Sequence, residues 1–144
     1  KNLNVTPALE DVVEATIYLS GLGFENGGLA AAHAVNDGFA QEPQAHGMYH
    51  GEKVAFGTLV QLVLEKAPQE ELEQVLAFLR DTGLPLTLAQ LGVREIVPET
   101  LKKVAEAAVV PTQSTKNLRA DITAQEVYDA ILEADRIGRD YLAC

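Results

Sequence analysis

At 144 residues the chain has the size of one domain, and with 47% apolar residues it can build a core. Eleven basic against 21 acidic residues give a net charge of −10, which argues against a nucleic-acid or anionic-membrane surface. No apolar run approaches the roughly 20 residues of a membrane-spanning helix, and a single cysteine, Cys144, excludes a disulfide within the chain and fits a reducing, cytoplasmic setting.

The chain opens at Lys1 rather than at a methionine, so we expect one part of a longer protein. Thr6-Pro7 is a helix start, with a capping hydroxyl followed by proline at the first helical position. Glu10, Asp11 and Glu14 favour the positive end of that helix, and Val12, Val13, Ile17 and Leu19 give it an apolar side up to Gly21. The glycine-rich segment from Gly21 to Gly28 reads as a helix–helix turn. It is not a GxGxxG phosphate loop, and a helix rather than a strand precedes it. Leu29 to about Asp37 is a short alanine-rich helix, expected to be central and buried because alanines let neighbours come close.

A further helix carries Val54, Leu59, Leu62 and Val63 and ends near Lys66. Ala67-Pro68 begins another, striped by Leu72, Val75, Leu76 and Leu79 and ended by Thr82-Gly83. Leu84-Pro85-Leu86 is an extended link, and Thr87 caps a short turn over Leu88–Leu91 that Gly92 closes. Pro98 starts a helix with Leu101, Val104, Ala105 and Ala108 on its inner side. Pro111–Thr115 is a polar loop. Thr123-Ala124-Gln125-Glu126 is a capping box that opens the last helix, with Val127, Ile131, Leu132 and Ile137 as apolar positions. No stretch makes a convincing strand, so the predicted fold class is all-α.

The chemistry concentrates between Gly27 and Gly57, which hold all three histidines, His33, His46 and His50. His33 follows three alanines, and His50 lies in Met48-Tyr49-His50-Gly51. In one straight helix the two would stand roughly 25 Å apart, too far to share an ion. Gly38, Pro43 and Gly47 make a reversal between them, so His33 is expected near the end of one helix and His50 near the start of the next. An antiparallel pair would then bring both to one end of a hairpin, as two ligands of one metal. A lone histidine on an apolar helix is more often a hydrogen-bonded core residue, and neither HExxH nor a cysteine zinc pattern is present. His46 reads as solvated. Asp37 can be a third ligand, but Asx-Gly also serves as a helix stop, and that reading is favoured. Glu52 reads as a solvated partner of Lys53, or as a support for His50. Phe24 is read as core in preference to a pocket wall. Ser20, Ser114 and Cys144 lack a histidine–acid arrangement, so nucleophilic catalysis has no support.

The segment GFENGGLAAAHAVNDGF followed by YHGEKVAFG resembles the metal-binding segment of glycerol dehydrogenases, within the iron-containing (group III) alcohol dehydrogenase family. The similarity runs on to the tail QEVYDAILEADRIGRDYL. The resemblance implies that residues 1–144 are the helical, metal-binding C-terminal domain of a dehydroquinate synthase-like fold, without its N-terminal NAD-binding α/β domain. It implies a metal held by an aspartate and two histidines. His33 and His50 match the histidines, which in relatives also touch the substrate, and the aspartate belongs to an earlier helix outside this chain. Relatives often carry another histidine just after the first ligand, where Asn36 and Asp37 stand here.

The implied cofactors are Zn2+, or Fe2+, since two histidines and a carboxylate suit either, together with NAD bound mainly by the missing domain. The implied activity is metal-dependent oxidation of glycerol to dihydroxyacetone with hydride transfer to NAD, in a homo-oligomer, with the isolated part inactive. The other reading of the residues is a non-catalytic helical interaction domain with structural histidines.

Overall fold

The computed structural model describes residues 4–143, and Cys144 lies outside them. Among these residues there is no strand, as the sequence predicts, and no helix is long and apolar enough to cross a membrane. Thr6 caps α1 (Pro7–Glu14) through its hydroxyl, which accepts from the Leu9 amide at 3.2 Å. The helix then passes through a π-helical turn, Ala15–Leu19, into α2 (Ser20–Gly27) without a break. Two expectations are corrected here. The turn placed over Gly21–Gly28 is helix as far as Gly27, because a glycine in a helix costs only about 1 kcal/mol and does not force a break. The chain leaves the helix at Gly28, whose φ of +70° suits glycine alone. Moreover, no residue of α1 or α2 is buried: Val12, Ile17 and Phe24 are all more than half exposed, so Phe24 is not core.

The rest is a bundle built around α3 (Ala31–Gly38), which is buried at Ala31, Ala32, Ala34, Val35 and Asn36. It packs against α4 (His50–Glu65) and α6 (Pro98–Ala108), and α7 (Ala124–Ala143) closes the bundle against α4 and α6. The expected central role of the alanine-rich helix is therefore what the fold shows. α5 (Gln69–Thr82) packs on α4, and Gly83 in the left-handed region ends it. All four inner positions predicted for α6 are buried. The capping box forms as read: Thr123 N donates to a Glu126 carboxylate oxygen at 2.8 Å, and Glu126 N donates to the Thr123 hydroxyl at 3.2 Å.

Two buried carboxylates tie the bundle to its loops. Asp135 on α7 accepts from Leu88 N at 2.8 Å and pairs with Arg139 at 3.0 Å. Glu42 caps the short 3-10 turn Pro43–Ala45 by accepting from Gln44 N at 3.0 Å. A buried carboxylate is tolerable only when so bonded.

Candidate metal centre

The chain reverses between α3 and α4 as the sequence requires, through the 3-10 turns Phe39–Gln41 and Pro43–Ala45. Phe39 anchors the reversal edge-on against Phe56 of α4, with ring centroids 6.2 Å apart. His33 sits in the first turn of α3 rather than near its end, because the Gly28–Ala30 link delays the helix by two residues. His50 is the first residue of α4. The two rings meet: their centroids are 5.5 Å apart and the planes are tilted by 48°.

This arrangement suits a shared ion. Two imidazoles binding one tetrahedral zinc through nitrogens about 2.0–2.1 Å away hold their ring centroids roughly 5 Å apart. Among the described residues neither ring hydrogen-bonds to another protein group and neither is buried, so the pair is not a satisfied polar group of the core. His33 is half-buried and His50 exposed, which leaves one side of the pair open. Burial holds the His33 pKa below its ordinary value of 6.5, the neighbouring His50 lowers it further, and Asp37 partly offsets both. His33 therefore favours its neutral, ligand-competent form at neutral pH. No group of three or more metal-ligating side chains forms among the described residues. Two nitrogens are one fewer than the three protein ligands of a catalytic zinc site.

The sign of the His33 shift sets a titration experiment. Its folded-state pKa lies below the unfolded value, so its contribution to stability is present above pH 6.5 and is lost as pH falls through the folded pKa. Followed by NMR, the metal-free His33 ring is expected to titrate below 6.5. Asp37→Asn should lower that midpoint further, and His50→Ala should raise it. An upward move in Asp37→Asn would contradict the charge assignment.

The other residues weighed from sequence are placed apart from the pair or act structurally. His46 bonds through Nε2 to the Ala40 carbonyl at 3.0 Å. Glu52 does not support the His50 ring: it accepts from the Tyr49 amide at 2.7 Å, which fixes where α4 begins and so where His50 stands. Asp37 accepts from Asn36 Nδ2 at 3.0 Å.

No family model matches the chain. A glycerol dehydrogenase of Escherichia coli O6:H1 is 56% identical over 138 residues, which are 96% of this chain and 38% of the relative. The crystal structure of glycerol dehydrogenase from Schizosaccharomyces pombe superposes with a TM-score of 0.90 at 42% identity, covering 95% of this chain and 35% of that one. A probable glycerol dehydrogenase from Sinorhizobium meliloti gives 0.89 at 46% identity, over 94% and 39%. The chain belongs to the glycerol dehydrogenase family. It spans under two-fifths of the length of these relatives. The part it matches is the helical C-terminal domain of glycerol dehydrogenases.

In this glycerol dehydrogenase relative, sequence reasoning misses Gln61 and Asn117, which bond to the backbone just before His33, and weighs Ser114 only as a nucleophile. Gln61 on α4 accepts from Ala32 N at 3.1 Å. Ser114 donates to the Ala30 carbonyl at 2.7 Å, and Asn117 donates to the Leu29 carbonyl at 2.8 Å. Their partners lie 29, 84 and 88 positions away, so no local pattern announces them.

Proposed function

We propose that this chain is the metal-carrying helical part of a longer, NAD-dependent glycerol dehydrogenase. The observation that carries the proposal is the convergence of His33 and His50 at 5.5 Å in a chain related over 96% of its length to a glycerol dehydrogenase. His33 and His50 would supply two nitrogen ligands, and a carboxylate from the remainder of the protein the third. When bound, Zn2+ (or Fe2+) supplies a Lewis acid that lowers the pKa of the glycerol hydroxyl it binds. The chain's own residues hold the two imidazoles at a fixed spacing, keep His33 neutral, and leave the exposed face of His50 open for substrate. The overall reaction is oxidation of glycerol to dihydroxyacetone, with NAD as hydride acceptor.

The exposed apolar side chains of α1 and α2 support the domain reading. Leu9, Val12, Val13, Ile17 and Leu22 stand on a helix that buries none of its residues within this bundle, and an apolar surface of that size favours cover. In the proposal the missing nucleotide-binding part and its adjoining helices provide it, and the assembled protein is a cytoplasmic homo-oligomer.

The test is elemental analysis and turnover on the full-length protein. About one zinc or iron per subunit is expected, with glycerol-dependent reduction of NAD that chelation abolishes and metal restores. The 144-residue chain alone should show no turnover. A metal-free full-length protein, or activity indifferent to chelation, would refute the proposal.

A further inference from the structure

The helix that carries His33 does not cap itself. Its N-cap residue is Ala30, which offers no side-chain hydrogen bond to the first turn, and Gly28 in the link before it has left the helical region. A helix start of this kind is free to slip, since the orphan amides of a first turn donate to any acceptor within reach. A slip of one residue would turn His33 by about 100° and move it about 1.5 Å along the axis. The 5.5 Å pairing with His50 would not survive that.

What fixes the start comes from elsewhere. The Gln61 side-chain oxygen takes the Ala32 amide at 3.1 Å, and Ala32 is the residue immediately before His33. Gln61 stands on the same helix as His50, so this bond ties the two histidine-bearing helices to each other directly. Just before this bond in the chain, the 3-10 turn Ser114–Asn117 grips the link by its carbonyls, Ser114 Oγ on Ala30 at 2.7 Å and Asn117 Nδ2 on Leu29 at 2.8 Å. That turn is itself secured to the end of α6, where the buried Thr115 hydroxyl donates to the Ala108 carbonyl at 2.5 Å.

We infer that Gln61 and Ser114 are positioning residues of the metal centre: together they set the register of the first turn of α3 and so hold His33 at ligand spacing from His50. The inference rests on the reading of the histidine pair as metal ligands. Neither side chain touches the rings. They act through the backbone just before His33, at Ala32 and Ala30, and Asn117, which is exposed, assists at Leu29.

The experiment measures Zn2+ affinity of the full-length protein by chelator competition, alongside its thermal midpoint without metal. Ser114→Ala removes the bond to Ala30, and Gln61→Met removes the bond to Ala32 together with the one Gln61 Nε2 donates to Glu65 at 2.8 Å. Each should weaken Zn2+ binding about 10- to 100-fold, the usual cost of losing a residue that orients a ligand. Gln61→Glu combined with Glu65→Gln keeps both the acceptor for Ala32 and the bond between the two side chains, Ser114→Thr keeps the donor, and both should return to within about 3-fold of the parent, well short of that loss. A purely structural role predicts a lower midpoint with Zn2+ affinity unchanged, and that result overturns the inference. So does an equal loss in the conservative variants. His50→Ala runs in parallel. If it loses Zn2+ while Gln61→Met and Ser114→Ala do not, the positioning role falls and the metal reading stands. If it keeps Zn2+, both fall.

Discussion

His50→Ala is expected to strip the metal from the full-length protein and to abolish glycerol oxidation with it. Removing an orienting residue costs metal sites about 10- to 100-fold in affinity, and removing a ligand should cost more. The two readings of His50 differ in magnitude. His50 is exposed, and a surface side chain without a role can be replaced within about 0.5 kcal/mol and without effect on metal content. As a ligand, its loss also removes the stabilisation that a tightly bound ion gives the folded state, about 2.7 kcal/mol at a metal concentration 100 times Kd. The check is metal content per subunit together with thermal midpoints measured with and without added Zn2+. In the parent the midpoint should rise with Zn2+, and in the variant it should not. A variant with full metal content would leave the pair as packing alone.

Gly57→Val should separate α3 from α4. A Cβ built on Gly57 would overlap the Ala32 carbonyl oxygen and crowd the Ala32 Cα. These are backbone atoms of the turn that carries His33, so no flexible side chain can give way. Overpacking of this kind costs about 1–3 kcal/mol, and here the strain falls on the spacing of the two histidines as well. Loss of stability and weakened Zn2+ binding are therefore expected together, read from denaturant midpoints and chelator competition. Gly51→Ala is the matched control, six residues earlier on the same helix. No atom lies within 4 Å of its Cβ, so it should be neutral or slightly stabilising. Equal loss in both would mean that close approach to Ala32 does not decide the outcome.

Much of the bundle was legible because its signals are local. Thr6-Pro7, the Thr123–Glu126 box, Gly83 and the inner positions of α6 each act within one or two turns of helix, and each appears where the pattern places it. The reversal between the histidines was legible for the same reason, since proline and glycine restrict the backbone where they stand. Where the reading failed, the deciding partner was remote or absent. The glycines from 21 to 27 were read as a turn, yet they remain helical and the break falls at Gly28. Phe24 reads as core from the sequence, yet it is exposed, as is the apolar side of α1. Glu42 carries no sequence signal of burial, yet it is buried, with its carboxylate accepting from the Gln44 amide at the start of Pro43–Ala45. Asp135 is buried for the sake of a Leu88 amide 47 positions away.

By itself the sequence determined an all-α chain with a forced reversal and two imidazoles on its two sides. Those consequences follow from backbone restriction and from the spacing of apolar residues, which operate over a few positions. Only the tertiary structure decided that the rings face each other at 5.5 Å. That distance depends on where α3 begins and how closely α4 crosses it. Both are set by Gln61, Ser114 and the bare backbone at Gly57, whose partners are near in space and far along the chain.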